Sequence, residues 1–137
     1  SDAQVKMLFS VDNGSNYLGG TGYHDTQTSL LSSDTNSTYT SRNSNGRDSF
    51  VLFGHEQGAS NTSGEVAHGR IIFYGLRSTN SKITDNRAVY TGGSSGDLMM
   101  NTGTSRHNTS SKVNNFKLFS GSGNISSGKF QLFGIRE

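Results

Sequence analysis

The chain has no cysteine and no proline in its 137 residues. Without cysteine there is neither a disulfide framework nor a thiolate metal site, which suits a protein assembled in a reducing cytoplasm and released later. Without proline, every turn must be built from Gly, Asn, Asp and Ser. Hydrophobic residues are scarce, at 29%. No apolar run approaches the length of a membrane span, so membrane insertion is not expected. Residues 1–15 show no charged start followed by an apolar stretch, so no secretion signal is expected there. A dominant charge is missing too. Twelve Lys and Arg against ten acidic residues leave +2. The basic residues are dispersed, which gives no footprint for nucleic acid.

What is present in quantity is polar and small: 23 Ser, 13 Thr, 13 Asn and 18 Gly, nearly half the chain. Low hydrophobicity combined with high net charge is the signature of disorder. Here the net charge is small and the apolar residues gather in short strand-like groups, so a folded chain is expected. The length allows one domain, residues 1–137, with no linker dividing it.

The apolar groups follow the two-residue period of strands. Val5, Met7 and Phe9 alternate with Lys6, Leu8 and Ser10, giving a first strand over about 4–11. Asn13-Gly14 is a strong hairpin signal, with Tyr17 and Leu18 starting the return strand. Leu30-Leu31 suggests a short edge strand or a tight turn. Residues 32–48 are polar, and Asn43 to Gly46 reads as a turn into a strand at Ser49–Phe53. Residues 54–64 read as loop. Arg70–Leu76 reads as a strand buried on both faces near its middle. Lys82-Ile83 and Arg87–Tyr90 form a strand pair or one bent strand. Leu98–Met100 is a short strand, 101–111 a polar loop, Val113–Phe119 a strand and Lys129–Ile135 the last. No window carries apolar residues at helical spacing. The expected class is all-β, an antiparallel β-sandwich, jelly-roll-like, with about eight to ten short strands.

The ends of the chain carry the clearest pattern. Ser122-Gly123-Asn124-Ile125-Ser126-Ser127-Gly128-Lys129-Phe130-Gln131-Leu132-Phe133-Gly134-Ile135 is a Gly-bounded turn followed by an alternating strand. Extended by Arg136, it echoes Ser63 to Arg77, 59 positions earlier, with five of fifteen positions identical. Glycines fall where the chain must turn, and β-branched or aromatic residues fall between them.

Candidate chemistry is sparse. His24, His55, His68 and His107 have no partner at metal-ligand spacing and read as surface or loop histidines. Asp12-Asn13-Gly14-Ser15-Asn16 lacks the closing Glu of a calcium loop and reads as a turn. Asp34-Thr35-Asn36 and Asp85-Asn86 offer only the oxygens that many loops offer. Gly123 to Lys129 has the spacing of a phosphate loop but enters a strand where that motif needs a helix. Paired carboxylates for glycoside hydrolysis cannot be placed. The sequons at Asn13, Asn36, Asn61, Asn108 and Asn124 are what chance gives in so Ser-, Thr- and Asn-rich a chain. Lys6, Arg70, Lys117 and Lys129 read as solvated strand faces. Tyr17, Tyr23, Tyr74 and Tyr90 are expected mainly in packing roles. Tyr39, in a long polar segment, is the exception. Catalytic residues, metal and cofactors are therefore assigned as none. The contact residues expected from their polar-loop settings are Tyr39, Arg42, Asn45, Arg47 and His107.

Phe9-Ser10-Val11-Asp12-Asn13-Gly14-Ser15-Asn16-Tyr17 resembles the S-x-D-x-G-S-x-Y hairpin in C-terminal β-sandwich domains of tailed-phage virion structural proteins. Phe119 to Ile135 resembles their closing F-x-S-G-N-I-x-S-G-x-F-x-L-Y-G-I, the more specific of the two motifs. Gly69–Gly75 and Lys112–Phe119 keep the same order. The resemblance implies a virion surface module of the tail fibre, tail-tip or head-appendage kind, assembled in the host cytoplasm, and it brings no catalytic residues. It also implies another apolar strand ahead of Ser1, either dispensed with in a shortened module or supplied by a neighbouring chain. Residues 32–62 lie outside the resemblance and mark the specialised part. The expected role is non-enzymatic host attachment. The expected partners are other virion proteins, further copies of this chain (a trimer favoured) and a host surface glycan. Capsid decoration, as a cement protein gripping the coat lattice, is the first alternative. A carbohydrate-binding module is the second, and an enzyme is the least favoured reading.

Overall fold

The computed structural model describes residues 4–20, 24–32, 39–47, 50–53, 66–92, 97–125 and 127–134. These residues form eight strands and no helix: β1 (Val5–Ser10), β2 (His24–Ser32), β3 (Tyr39–Arg47), β4 (Phe50–Phe53), β5 (Ala67–Tyr74), β6 (Lys82–Gly92), β7 (Asp97–His107) and β8 (Asn115–Ser120). They make two antiparallel sheets, one ordered β4-β1-β8 and the other β3-β2-β7-β6-β5. The all-β sandwich expected from the sequence is the observed class. The nested pairings of β1 with β8 and of β2 with β7 wrap the chain as a jelly roll does. The inner strands leave that scheme, because β3 pairs with β2 and β6 with β7 as ordinary hairpin neighbours.

Aromatic and aliphatic side chains join the two sheets. Met7, Phe9 and Val113 are buried, with Val5, Val11, Ile71, Phe73, Leu76, Phe116 and Leu118 packed around them. The Phe9 ring lies 6.1 Å from Phe73 on β5 and 5.7 Å from His107 on β7. Burying a side chain of this size stabilises by roughly 1.5–3 kcal/mol, so Met7 and Phe9 are the main reason β1 is central. A second, smaller cluster of Ala88, Tyr90 and Met99 lies on the larger sheet.

Several elements differ from the sequence reading. The return strand at Tyr17-Leu18 is reduced to a single bridge, Phe9 to Leu18, with Leu18 N–H donating to the Phe9 carbonyl at 2.7 Å. The turn itself is as expected, with Asn13 at φ 60 and Gly14 at φ 85. Leu30-Leu31 lies within a nine-residue strand flanked by β3 and β7, not on an edge. Asn43 to Gly46 continues β3 and is not a turn. Only Ile71 to Phe73 of β5 are half-buried, because β5 is the sheet's last strand with its far side open. Lys82 to Gly92 is one strand, and 101–107 continues β7 where a loop was expected. The expected loop at 54–64 lies outside the described residues, as do 21–23 and 93–96. The largest departure is the final strand. Residues 127–134 form no strand and pair with nothing among the described residues.

Candidate functional site

β6 and β7 decide what the larger sheet presents on each face. On β6, Lys82, Thr84, Asn86, Ala88 and Tyr90 are buried while Ile83, Asp85, Arg87 and Val89 are exposed. On β7, Met99, Asn101, Ser105 and His107 are buried, and Leu98, Thr102, Thr104 and Arg106 are exposed. Alternation of this kind is the two-residue period of a pleated sheet with one face inward. What is unusual is that polar residues occupy the inward positions.

The register lines up the exposed residues of β6 and β7 with positions on the other strands. Asp85 lies opposite Thr104, which lies opposite Gln27, which lies opposite Asn43. Arg70, Arg87 and Thr102, all exposed, share a register row with Ser29 and Ser41 across all five strands. Arg87 Nη2 donates to Met100 Sδ at 3.4 Å, which lays the guanidinium along the sheet. Thr102, Thr104, Arg87 and Asp85 thus set hydroxyl, guanidinium and carboxylate groups on a broad pleated face.

The inward rows meet at a buried polar layer. Lys82 is fully buried and its Nζ donates to the carbonyls of Ser78 (2.7 Å), Asn80 and Thr109 (3.3 Å). Burial pulls its pKa below the ordinary lysine value of 10.5. One ammonium therefore ties the β5–β6 turn to the segment after β7. His107 accepts from Thr109 N–H at Nδ1, 3.0 Å away, which fixes the neutral tautomer with its proton on Nε2. Thr84 Oγ1 and both amide atoms of Asn101 are buried without a hydrogen-bond partner among the described residues.

The sequence-selected contact residues fall in two groups. Tyr39, Arg42, Asn45 and Arg47 all lie on β3, at the edge of the larger sheet, where a loop was expected. Tyr39 shares its row with Leu31, Met100, Val89 and His68, whose β6 member is exposed. Arg42 shares the row of Thr28, Gly103 and Asn86, whose β6 member is buried. Asn45 lies in the irregular stretch between the Ser44 and Arg47 pairings. Arg47 pairs with His24, and His24 with His107, so the register brings these two selected residues into one row. His107 is fully buried at the end of β7, because the loop inferred around it is strand. Lys82 was missed, since a lysine opening a strand reads as a solvated face. Its signal was the Ser78-Thr79-Asn80-Ser81 turn just before it, whose carbonyls supply acceptors.

The Asp12 turn behaves as a turn. Ser10 Oγ and Asn16 N–H donate to Asp12 Oδ1 at 2.7 and 2.8 Å, and Asn16 Nδ2 donates to Oδ2 at 2.7 Å. Its carboxylate oxygens are spent on that turn. Among the described residues, no group of three or more His, Asp or Glu side chains is placed to hold a metal ion. Tyr90 is in the core, Tyr74 is exposed, and Tyr17 lies under Lys117 Nζ at 4.6 Å.

Comparison with known family models, curated proteins and solved structures finds no match.

Proposed function

We propose that this chain is a non-enzymatic module on the surface of a bacteriophage virion, of the tail fibre or tail-tip type, acting in host attachment. The observation that carries the reading is the outward face of the larger sheet. Arg87, Thr102, Thr104 and Asp85 are exposed there on neighbouring strands in register. Such a face can hydrogen-bond a polar, neutral surface such as a host glycan over several strands at once. Short hydroxyl and amide side chains adapt their hydrogen bonding, and tyrosine adds rigid contact area. The resemblance of Phe9–Tyr17 and Phe119–Ile135 to tailed-phage structural proteins gives the setting. Tyr39, whose row ends on exposed Val89, extends the contact to the β3 edge. A homo-oligomer, as a trimer, repeats the face and converts weak contacts into avidity.

The test has two arms. Gold-labelled antibody against this chain, viewed on purified particles by electron microscopy, is expected on the tail. The isolated protein is expected to bind host cells and to slow phage adsorption, with Arg87→Ala/Thr102→Ala weakening binding about tenfold. Label on the head, with binding to coat lattices and none to cells, would replace attachment by capsid decoration. A glycan-array signal with no label on particles would favour a carbohydrate-binding module.

A further inference from the structure

Among the described residues, one side of the sandwich has no covering strand. β8 ends the smaller sheet and β5 ends the larger. These two edges are stacked, with the Phe73 and Phe116 rings 5.4 Å apart. Ile71, Phe73, Phe116 and Leu118 pack against the Met7, Phe9 and Val113 core yet stay only half-buried. An edge strand also presents a row of unpaired backbone donors and acceptors.

Residues 127–134 have the complementary deficit. They are exposed and in no strand pair. Phe130 is 64% exposed, Leu132 73% and Phe133 78%. Phe130 and Leu132 fall on one face of an extended chain, with Lys129 and Gln131 on the other. A side chain added at Gly134 would meet nothing within 4 Å, and the Phe130 ring has only folded back onto its own Gly128. Large apolar side chains held this far into water mark an interaction site.

We propose that residues 127–134 are a donor strand that pairs with the outer edge of β8 in a second copy of this chain. Phe130 and Leu132 then close that copy's Phe73–Phe116 edge. A second copy is the occupant because one chain both offers the strand and lacks it, so identical copies are self-complementary. The area argues the same way. One arm buries a few side chains, with roughly 150–250 Å² for each aromatic. When every copy gives and receives, that area doubles and approaches the roughly 800 Å² per partner of a standard interface. The link from Gly121 to Gly128 is rich in Ser and Gly, with Gly123 at φ 66, and such links let an element pass between protomers at low cost. The inference deepens the homo-oligomer of the proposed function and rests on that part of it.

The absence of cysteine makes introduced thiols clean reporters. Leu132→Cys in one chain and Lys117→Cys in a second chain of different mass are mixed, unfolded and refolded together. A short bis-maleimide is expected to give the crosslinked pair, while Asp85→Cys in place of Lys117→Cys gives none. A doubly substituted chain that links only to itself, with no product in the mixture, means the arm folds onto its own β8 and overturns the proposal. In a second measurement, Phe130→Asp/Leu132→Asp is expected to sediment as a monomer with the strand-rich circular dichroism of the parent. A parent chain that is already monomeric at high micromolar concentration, or an oligomer that survives the double substitution, overturns it as well. Particle labelling reads out separately, so either idea can fail while the other stands.

Discussion

Asp12 shows how a single carboxylate at the surface takes a structural role. Three donors converge on it, the Asn16 backbone N–H first, then the Asn16 side-chain amide and the Ser10 hydroxyl, and they hold its carboxyl below the ordinary value of 3.8. A carboxyl whose pKa is depressed by folding stabilises the fold above its ordinary value and loses that contribution as pH falls through the lowered one. Asp12→Ala should therefore unfold at lower urea than the parent at neutral pH, and the gap should close in acid. A gap that is constant with pH would remove the carboxylate from the account. Asn101 poses the opposite problem. Both of its amide atoms are buried and unsatisfied, in register with Ala88 and one row from Met99. A buried polar group without partners costs about 1–3 kcal/mol. Asn101→Leu, close to it in volume, should raise stability by about 1 kcal/mol in a urea titration. A loss of that size would mean the amide is hydrogen-bonded in solution.

At the scale of elements, legibility tracked hydropathy contrast. β1 and β8 put apolar residues at alternate positions against the Met7–Phe9–Val113 core, β4 is an unbroken apolar run in the sequence, and all three were readable within a residue or two. β2, β3 and the second half of β7 were not. Their sequences are mostly polar, with few apolar residues to set one face against the other, and the larger sheet's inward rows are themselves polar at Thr84, Asn86, Asn101 and Ser105. With no contrast between faces, backbone pairing has no trace in the side chains. The segment at Lys129–Ile135 erred the other way: alternation states what a strand requires, not which chain supplies its neighbour. The contact residues on β3 suffered from the first problem, being legible as polar and illegible as strand. The turn after β1 was legible because its chemistry is local. Asn13 and Gly14 both take positive φ, and Asn114 Oδ1 accepts from Asn13 N–H at 3.0 Å, pinning the turn to the approach to β8. A Cβ on Gly14 would sit 3.1 Å from Asn115 Nδ2 and in the left-handed region. Gly14→Ala should thus cost about 1–2 kcal/mol, read as a lower urea midpoint with unchanged slope. A neutral substitution would show that the turn relaxes freely.

For the molecule as a whole, the decisive contacts are distant in sequence. Val5 pairs with Ser120, and Phe9 with Phe116, so the central strand of the smaller sheet waits for the far end of the chain. Closing such a loop costs entropy before any contact repays it, and antiparallel sandwiches accordingly fold in milliseconds to seconds. The composition removes the usual slower steps. No proline means no isomerisation phase of tens of seconds, and no cysteine means no disulfide reshuffling. Refolding from urea, followed by tyrosine fluorescence in a stopped-flow instrument, should be complete within seconds for the monomeric Phe130→Asp/Leu132→Asp chain, and prolyl isomerase should leave it unaltered. The parent chain should add one slower phase whose rate rises with protein concentration, as its arms find partner edges. A slow phase in the parent that ignores concentration would place the delay inside one chain, in the search for the β1–β8 register.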